Sequence, residues 1–188
     1  VFLVVLIAAL GLAAMNRMAI GDWVFFLQYH PDTETVKTAD AIGLTPAGRR
    51  LFYRTNPQFV DTKAELTTPC GPHTLGCLTP RGQAFILDDP QKPGQTLATA
   101  AHEMLHLAYE RLADSKKDEL GPLIDQGIAQ NDGPHLEAEL GPDADEANRR
   151  DEGHSLLGTE YVHLPAGLET YYGGYFTDRA QLAQQASH

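Results

Sequence analysis

Basic residues are in short supply. Fourteen lysines and arginines face 25 aspartates and glutamates, a formal net charge of −11, and no stripe of positive side chains gathers along the chain. A phosphate backbone would be repelled by most of such a surface, so nucleic-acid binding is not expected. Cysteine is nearly absent too. The two that occur, Cys70 and Cys77, are too few for the disulfide framework of a small secreted scaffold or for a four-sulfur metal site. They bracket Gly-Pro-His-Thr-Leu-Gly, and a bridge there would stabilise the fold by about 2.5 kcal/mol through loop entropy. A metal site of Cys70, His73 and Cys77 would be one ligand short. A disulfide is therefore expected, and with it an oxidising compartment. Repeats and low-complexity stretches are missing, and no second apolar run follows the one at the start.

That first run, Val1 to Met15, is wholly apolar. Continued through Ile20 it reaches spanning length only by including Asn16 and Arg17, while Trp23, Phe25, Phe26 and Tyr29 could form an interfacial aromatic belt. Residues 1–22 are expected to be an N-terminal membrane anchor, with a cleaved signal segment or a buried core helix as the alternatives. Residues 30–188 then form one domain, since 188 residues at 43 % hydrophobic content suffice for a single sizeable core but not two.

Within that domain Thr45-Pro46 should start a helix running to Tyr53, with threonine as N-cap and proline at the first helical position. Residues 61–82, with Pro69, Gly71, Pro72, Pro80 and Gly82, read as irregular. Gln83 to Asp88 is the clearest strand. A helix is expected from Gln95 or Thr96, a further one from Ser115 to Gln130 with an interruption at Gly121-Pro122, and another from Ala144 towards Leu157. The acidic region from Glu137 to Glu146 reads as a solvated face. Pro165 to Tyr172 and Asp178 to Gln185 follow as short segments. The fold class is α+β, mainly helical, with a small sheet.

The chemistry concentrates in Ala100-Ala-His102-Glu103-Met-Leu-His106-Leu-Ala108. Thr96 to Ala113 holds no glycine or proline and is rich in Ala, Leu, Met and Glu, which makes it a helix. Residues four apart on a helix stand one above the other, about 6 Å along the axis, so His102 and His106 can aim two imidazoles at one ion. Glu103 lies on the adjacent surface, where its carboxylate can reach a water rather than the metal.

At these residues the chain resembles the zincin superfamily of zinc metallopeptidases. The resemblance implies that His102 and His106 bind Zn2+, that Glu103 is the general base and proton shuttle, and that the small sheet packs on the active-site helix with the preceding strand as the edge for an extended substrate. The extended form of the motif is excluded, because its glycine and third histidine positions hold Tyr109 and Leu112. The glutamate-ligand subgroup, the gluzincins, fits better. Its third ligand comes from a later helix in a short pattern that Asp151-Glu152-Gly153-His154-Ser155 resembles. Glu152 is accordingly the expected third ligand, with Glu160 as the alternative and His154 behind them. His154, Tyr161 and Tyr171 are candidate donors to an oxyanion by residue type. Asp151, Glu160 and Asp88 are candidate acceptors for the second N–H of a ligating imidazole.

The functional expectation is a zinc metallopeptidase anchored at a membrane and facing outward, at a bacterial cell surface or in a periplasm, or else secreted, acting on a peptide or protein substrate. Its competitor is a non-catalytic anchored binding domain whose metal is structural or absent. Oligomeric state is not legible in the sequence.

Overall fold

The structure, a computed structural model, describes residues 17–131, 133–141 and 144–186. Two compact units divide the chain at Asp32. In the first, helix α1 (Arg17–Gln28) leaves Met18, Ile20, Trp23, Val24 and Leu27 exposed, and Phe25 stacks on Tyr29 at 4.7 Å between ring centroids. The apolar run Val1 to Met15 lies outside the described residues. Among those described, no helix is long and apolar enough to cross a membrane.

The second unit is mainly helical with a small mixed sheet. Helices α2 (Thr33–Ile42) and α3 (Pro46–Arg54) come first, then β1 (Gln58–Val60), α4 (Lys63–Cys70), β2 (Gly76–Leu78) and β3 (Ala84–Leu87). The remainder is α5 (Pro93–Glu110), α6 (Asp114–Gln130), α7 (Pro134–Leu140), α8 (Glu146–Glu160), α9 (Ala166–Tyr172) and α10 (Arg179–Ala186). The sheet order is β1-β3-β2, with β1 parallel to β3 and β2 antiparallel to it.

Helix α5 is the hub. Pro93 sits in its first turn, two or three residues earlier than the sequence suggests, and ten of its residues are buried on nearly every side. The reason is its neighbours: β2 and β3 on one side, α8 and α10 elsewhere, with α2 and α3 also in contact. Small side chains at Ala98, Ala100, Ala101 and Ala108, all buried, allow that crowding.

Several sequence expectations need correction. Residues 61–82 are not wholly irregular: α4 and β2 fall within them, Thr62 caps α4 by accepting from the Glu65 N–H at 3.3 Å, Leu66 is buried, and Pro69 lies inside the helix. Helix α6 runs through Gly121-Pro122 without a break. Proline inside a helix costs about 3 kcal/mol, but burying Leu120, Ile124 and Ile128 returns roughly 1.5–3 kcal/mol each, so packing wins. The acidic stretch is not wholly solvated either, because α7 buries Leu136 and Leu140 and Glu137 pairs with Arg149.

Two glycines bring α8 close to its neighbours. A Cβ on Gly153 would lie 2.8 Å from Ile128 Cδ1, and one on Gly158 would lie 2.3 Å from Leu105 Cδ1. Gly153 therefore faces α6 and Gly158 faces α5. Its cost in helix propensity, about 1 kcal/mol for a glycine, is exchanged for close approach of three helices. Arg179, almost fully buried, then ties down the C-terminal end of α8 by donating to the carbonyls of Leu157, Tyr161 and Val162 and to the Glu169 carboxylate.

Candidate metal centre

His102 and His106 stand on the least buried stripe of α5, with side chains 15 % and 19 % exposed. Across from them, Asp145 caps α8 by accepting from the Asn148 N–H at 2.8 Å, and the helix presents Asp151 and Glu152 nearly two turns later. The packing of α5 on α8 closes the group. His102 Nε2 and His106 Nε2 are 3.0 Å apart, His102 Nε2 lies 3.3 Å from Glu152 Oε1, and His106 Nε2 lies 3.5 Å from Glu152 Oε2. One ligand atom from each residue falls within 4.8 Å of the others.

These separations can be compared with what an ion requires. Ligands 2.0–2.2 Å from a tetrahedral zinc are about 3.3–3.6 Å apart. The two distances to Glu152 fall in that range and the one between the histidines is shorter, and a donor set of two imidazole nitrogens and one carboxylate is one that zinc accepts. Three protein ligands leave one position for water or substrate.

The surroundings set the protonation of the group. His106 Nδ1 is 2.9 Å from Asp151 Oδ1, which keeps a proton on Nδ1 and turns Nε2 towards the cluster. Burial works against charge on His106, but the Asp151 hydrogen bond and the fields of Glu103, Asp151 and Glu152 outweigh it and push the imidazole up to about 9. For Glu152, burial raises its pKa, yet the hydrogen bond from His102 and the fields of His102 and His106 bring it below the ordinary carboxylate value. It is ionised, as a ligand must be.

Glu103 is the most buried carboxylate of the site, 5 % exposed. Burial pushes its pKa up, with Glu152 adding to the rise, while His102, His106 and a hydrogen bond from the Leu78 backbone oppose it. It adjoins the metal-ligand group without belonging to it.

All four side chains border one cavity of about 600 Å³, whose opposite wall is β2 and the preceding loop from His73. The edge strand along the cavity is thus β2; β3, which the sequence suggested for that role, lies in the middle of the sheet. Of the two carboxylates weighed as third ligand, Glu152 joins the histidines. Glu160 borders the cavity, but its carboxylate is 3.2 Å from His135 Nε2. His154 is fully buried, with Nε2 3.0 Å from the Tyr171 hydroxyl and Nδ1 unpartnered among the described residues. Burial holds it neutral, down to about 3, with the fields of His106 and His102 adding to the effect. His154, Tyr161 and Tyr171 do not border the cavity. Asp88 is not the acceptor for His106; Asp151 is. Sequence reasoning passed over Gly76 and Leu78, whose place depends on strand pairing that their own residues do not announce.

Comparison with family models, curated proteins and solved structures gives no match.

Proposed function

We propose that this protein is a zinc-dependent peptidase of the zincin type with a glutamate as third ligand, membrane-anchored through its N-terminal residues and acting on an extracytoplasmic peptide or protein. The observation that carries the reading is the convergence of His102, His106 and Glu152 with the buried Glu103 at their side. A structural site would need a fourth protein ligand, and a base beside its ligands would have no use.

Zinc held by these three residues supplies Lewis acidity towards a carbonyl oxygen and makes a neighbouring water acidic. The residues of the chain do the rest. Asp151 keeps His106 in the tautomer that ligates. Glu103 takes the proton of the attacking water and returns it to the leaving amine, and its raised pKa brings it closer to the range in which one group can do both. The outer edge of β2 offers backbone groups to an extended peptide, as exposed strand edges do. The Cys70–Cys77 bridge, present with a Cα separation of 5.5 Å, fits an oxidising compartment.

Metal content of the full chain tests the reading. Near one zinc per chain is expected in the wild type, Glu103→Gln and Glu160→Gln, and a strong loss in His106→Ala and Glu152→Ala. Hydrolysis of a fluorogenic peptide mixture should disappear in Glu103→Gln, which keeps its zinc. Absence of zinc from all five proteins after remetallation at neutral pH would end the proposal.

A further inference from the structure

The alternation of the β2–β3 ladder determines what β2 turns towards the site. Leu87 N–H donates to Leu75 O and Thr79 N–H donates to Gln83 O, both at 2.8 Å, and the pairs between them are Gly76 with Ile86, Cys77 with Phe85 and Leu78 with Ala84. Antiparallel pairing alternates, so residues 75, 77 and 79 exchange bonds with β3 while the backbone of Gly76 and Leu78 faces the open edge. At that edge the Leu78 backbone N–H lies towards the Glu103 carboxylate and helps to lower its pKa.

The same place has no room for a side chain at position 76. A Cβ there would lie 2.6 Å from Thr99 Cγ2, 2.9 Å from the Phe85 carbonyl oxygen and 3.0 Å from Glu103 Oε1. The Phe85 oxygen is backbone and belongs to the ladder, so it cannot withdraw without moving the strands. Side chains alternate across a strand, which puts Cys77 on the face opposite Leu78. There it is bridged to Cys70, the last residue of α4.

We infer that β2 positions Glu103: the disulfide fixes the strand from behind, and the missing side chain at Gly76 lets the carboxylate reach the Leu78 N–H. Where Glu103 sits does not depend on the peptidase reading; what its placement is for rests on that reading. Gly76 and the bridge are positioning features, and Glu103 alone handles the proton. A base displaced by an ångström loses about 100-fold in rate, so the two features should control turnover without touching the ligands.

The experiment has two readouts on the full chain in detergent micelles. The first is amide exchange at Leu78 by nuclear magnetic resonance in wild type, Glu103→Ala, Gly76→Ala and the double variant Cys70→Ser/Cys77→Ser. An outward-facing edge amide gains protection when something accepts from it. Leu78 should be protected in the wild type and exchange at least about tenfold faster in each variant. Equal exchange in wild type and Glu103→Ala overturns the inference, whether or not the protein hydrolyses anything. The second is turnover of the fluorogenic peptide mixture by zinc-loaded protein. Gly76→Ala and the cysteine variant should lose about 10–100-fold in kcat with KM and zinc content held. Full kcat in a variant whose Leu78 protection is gone overturns it as well. If Gly76→Ala does not fold, the cysteine variant and Glu103→Ala decide. Protected Leu78 in a zinc-loaded wild type without turnover supports the placement of Glu103 and removes the peptidase reading instead.

Discussion

Two replacements of Asp151 separate what its charge does from what its hydrogen bond does. Asp151→Asn keeps an oxygen able to accept from His106 Nδ1, whereas Asp151→Ala removes it. Despite burial, the hydrogen bond from His106 to Asp151 and the carboxylates around it push His106 from 6.5 to about 9, a preference for a cation at that imidazole of roughly 3 kcal/mol. Asp151 acts through both its hydrogen bond and its field, and loss of such an outer partner of a ligating histidine weakens metal binding by about 10–100-fold. Asp151→Asn should therefore bind zinc about tenfold more weakly, and Asp151→Ala, which also frees the ring to turn, about 100-fold.

The measurement is competition against a fluorescent zinc indicator at pH 9, with circular dichroism to show that each variant is folded. The pH matters because the proton on His106 must leave for zinc to bind. Its raised pKa means that proton is held below pH 9, and Asp151 helps to hold it. The asparagine variant loosens proton and zinc alike, so the gap from wild type should narrow as pH falls from 9 to 7. Equal zinc affinity of all three proteins at pH 9 would refute the role of Asp151, and a gap that widens towards pH 7 would refute the sign.

Gly158→Ala should gain about 1 kcal/mol of helix propensity but press a methyl group to 2.3 Å from Leu105 Cδ1 and 3.0 Å from Tyr172 Cε1; overpacking of that kind costs roughly 1–3 kcal/mol. Thermal unfolding should show a Tm lowered by a few degrees, and an unchanged or higher Tm would mean that α5 and α8 are not in that contact. His154 is held down to about 3, mainly by burial, against about 6.5 in an unfolded chain. The stability tied to its neutral form is thus complete above pH 6.5 and is lost as pH falls towards 3, with a slope of up to about 1.4 kcal/mol per pH unit. Denaturant unfolding of wild type should therefore steepen with acid relative to His154→Leu; parallel curves would contradict the burial. Arg179→Met leaves three carbonyls and the Glu169 carboxylate without their donor, and a loss of about 3–5 kcal/mol by denaturant unfolding is expected. A loss under 1 kcal/mol would show that water replaces the guanidinium.

How much of this was legible depended on how local each feature is. His102, Glu103 and His106 lie within one turn and a half of a single helix, so their spacing alone states which side chains can meet. The disulfide was legible by count, since two cysteines admit one pairing. Glu152 was legible only through a short pattern, because nothing between His106 and Glu152 says how α8 will cross α5. The sheet was legible in one strand of three. β1 and β2 are three residues each, too short for a period of two to appear, and β2 lies among Cys, Gly and Thr that read as a loop. Pro122 misled for the opposite reason: its local cost is real, and the buried Leu120, Ile124 and Ile128 override it.

The least legible residues prove to be the ones that set the geometry. Gly153 and Gly158 offer no donor, charge or apolar surface, yet they fix how closely α8 lies to α6 and α5. Glu152 projects from the same helix six residues before Gly158, about 9 Å along its axis. At such a separation a small tilt of α8, caused by a methyl group at 158, becomes a displacement at the carboxylate comparable to the tolerance of a metal–ligand bond. Gly76 does the same on the other wall, where its missing side chain sets the gap between β2 and Glu103. His102, Glu103 and His106 come from one helical motif and Glu152 from a later helix, and how closely the four meet is set at three positions where the chain places nothing.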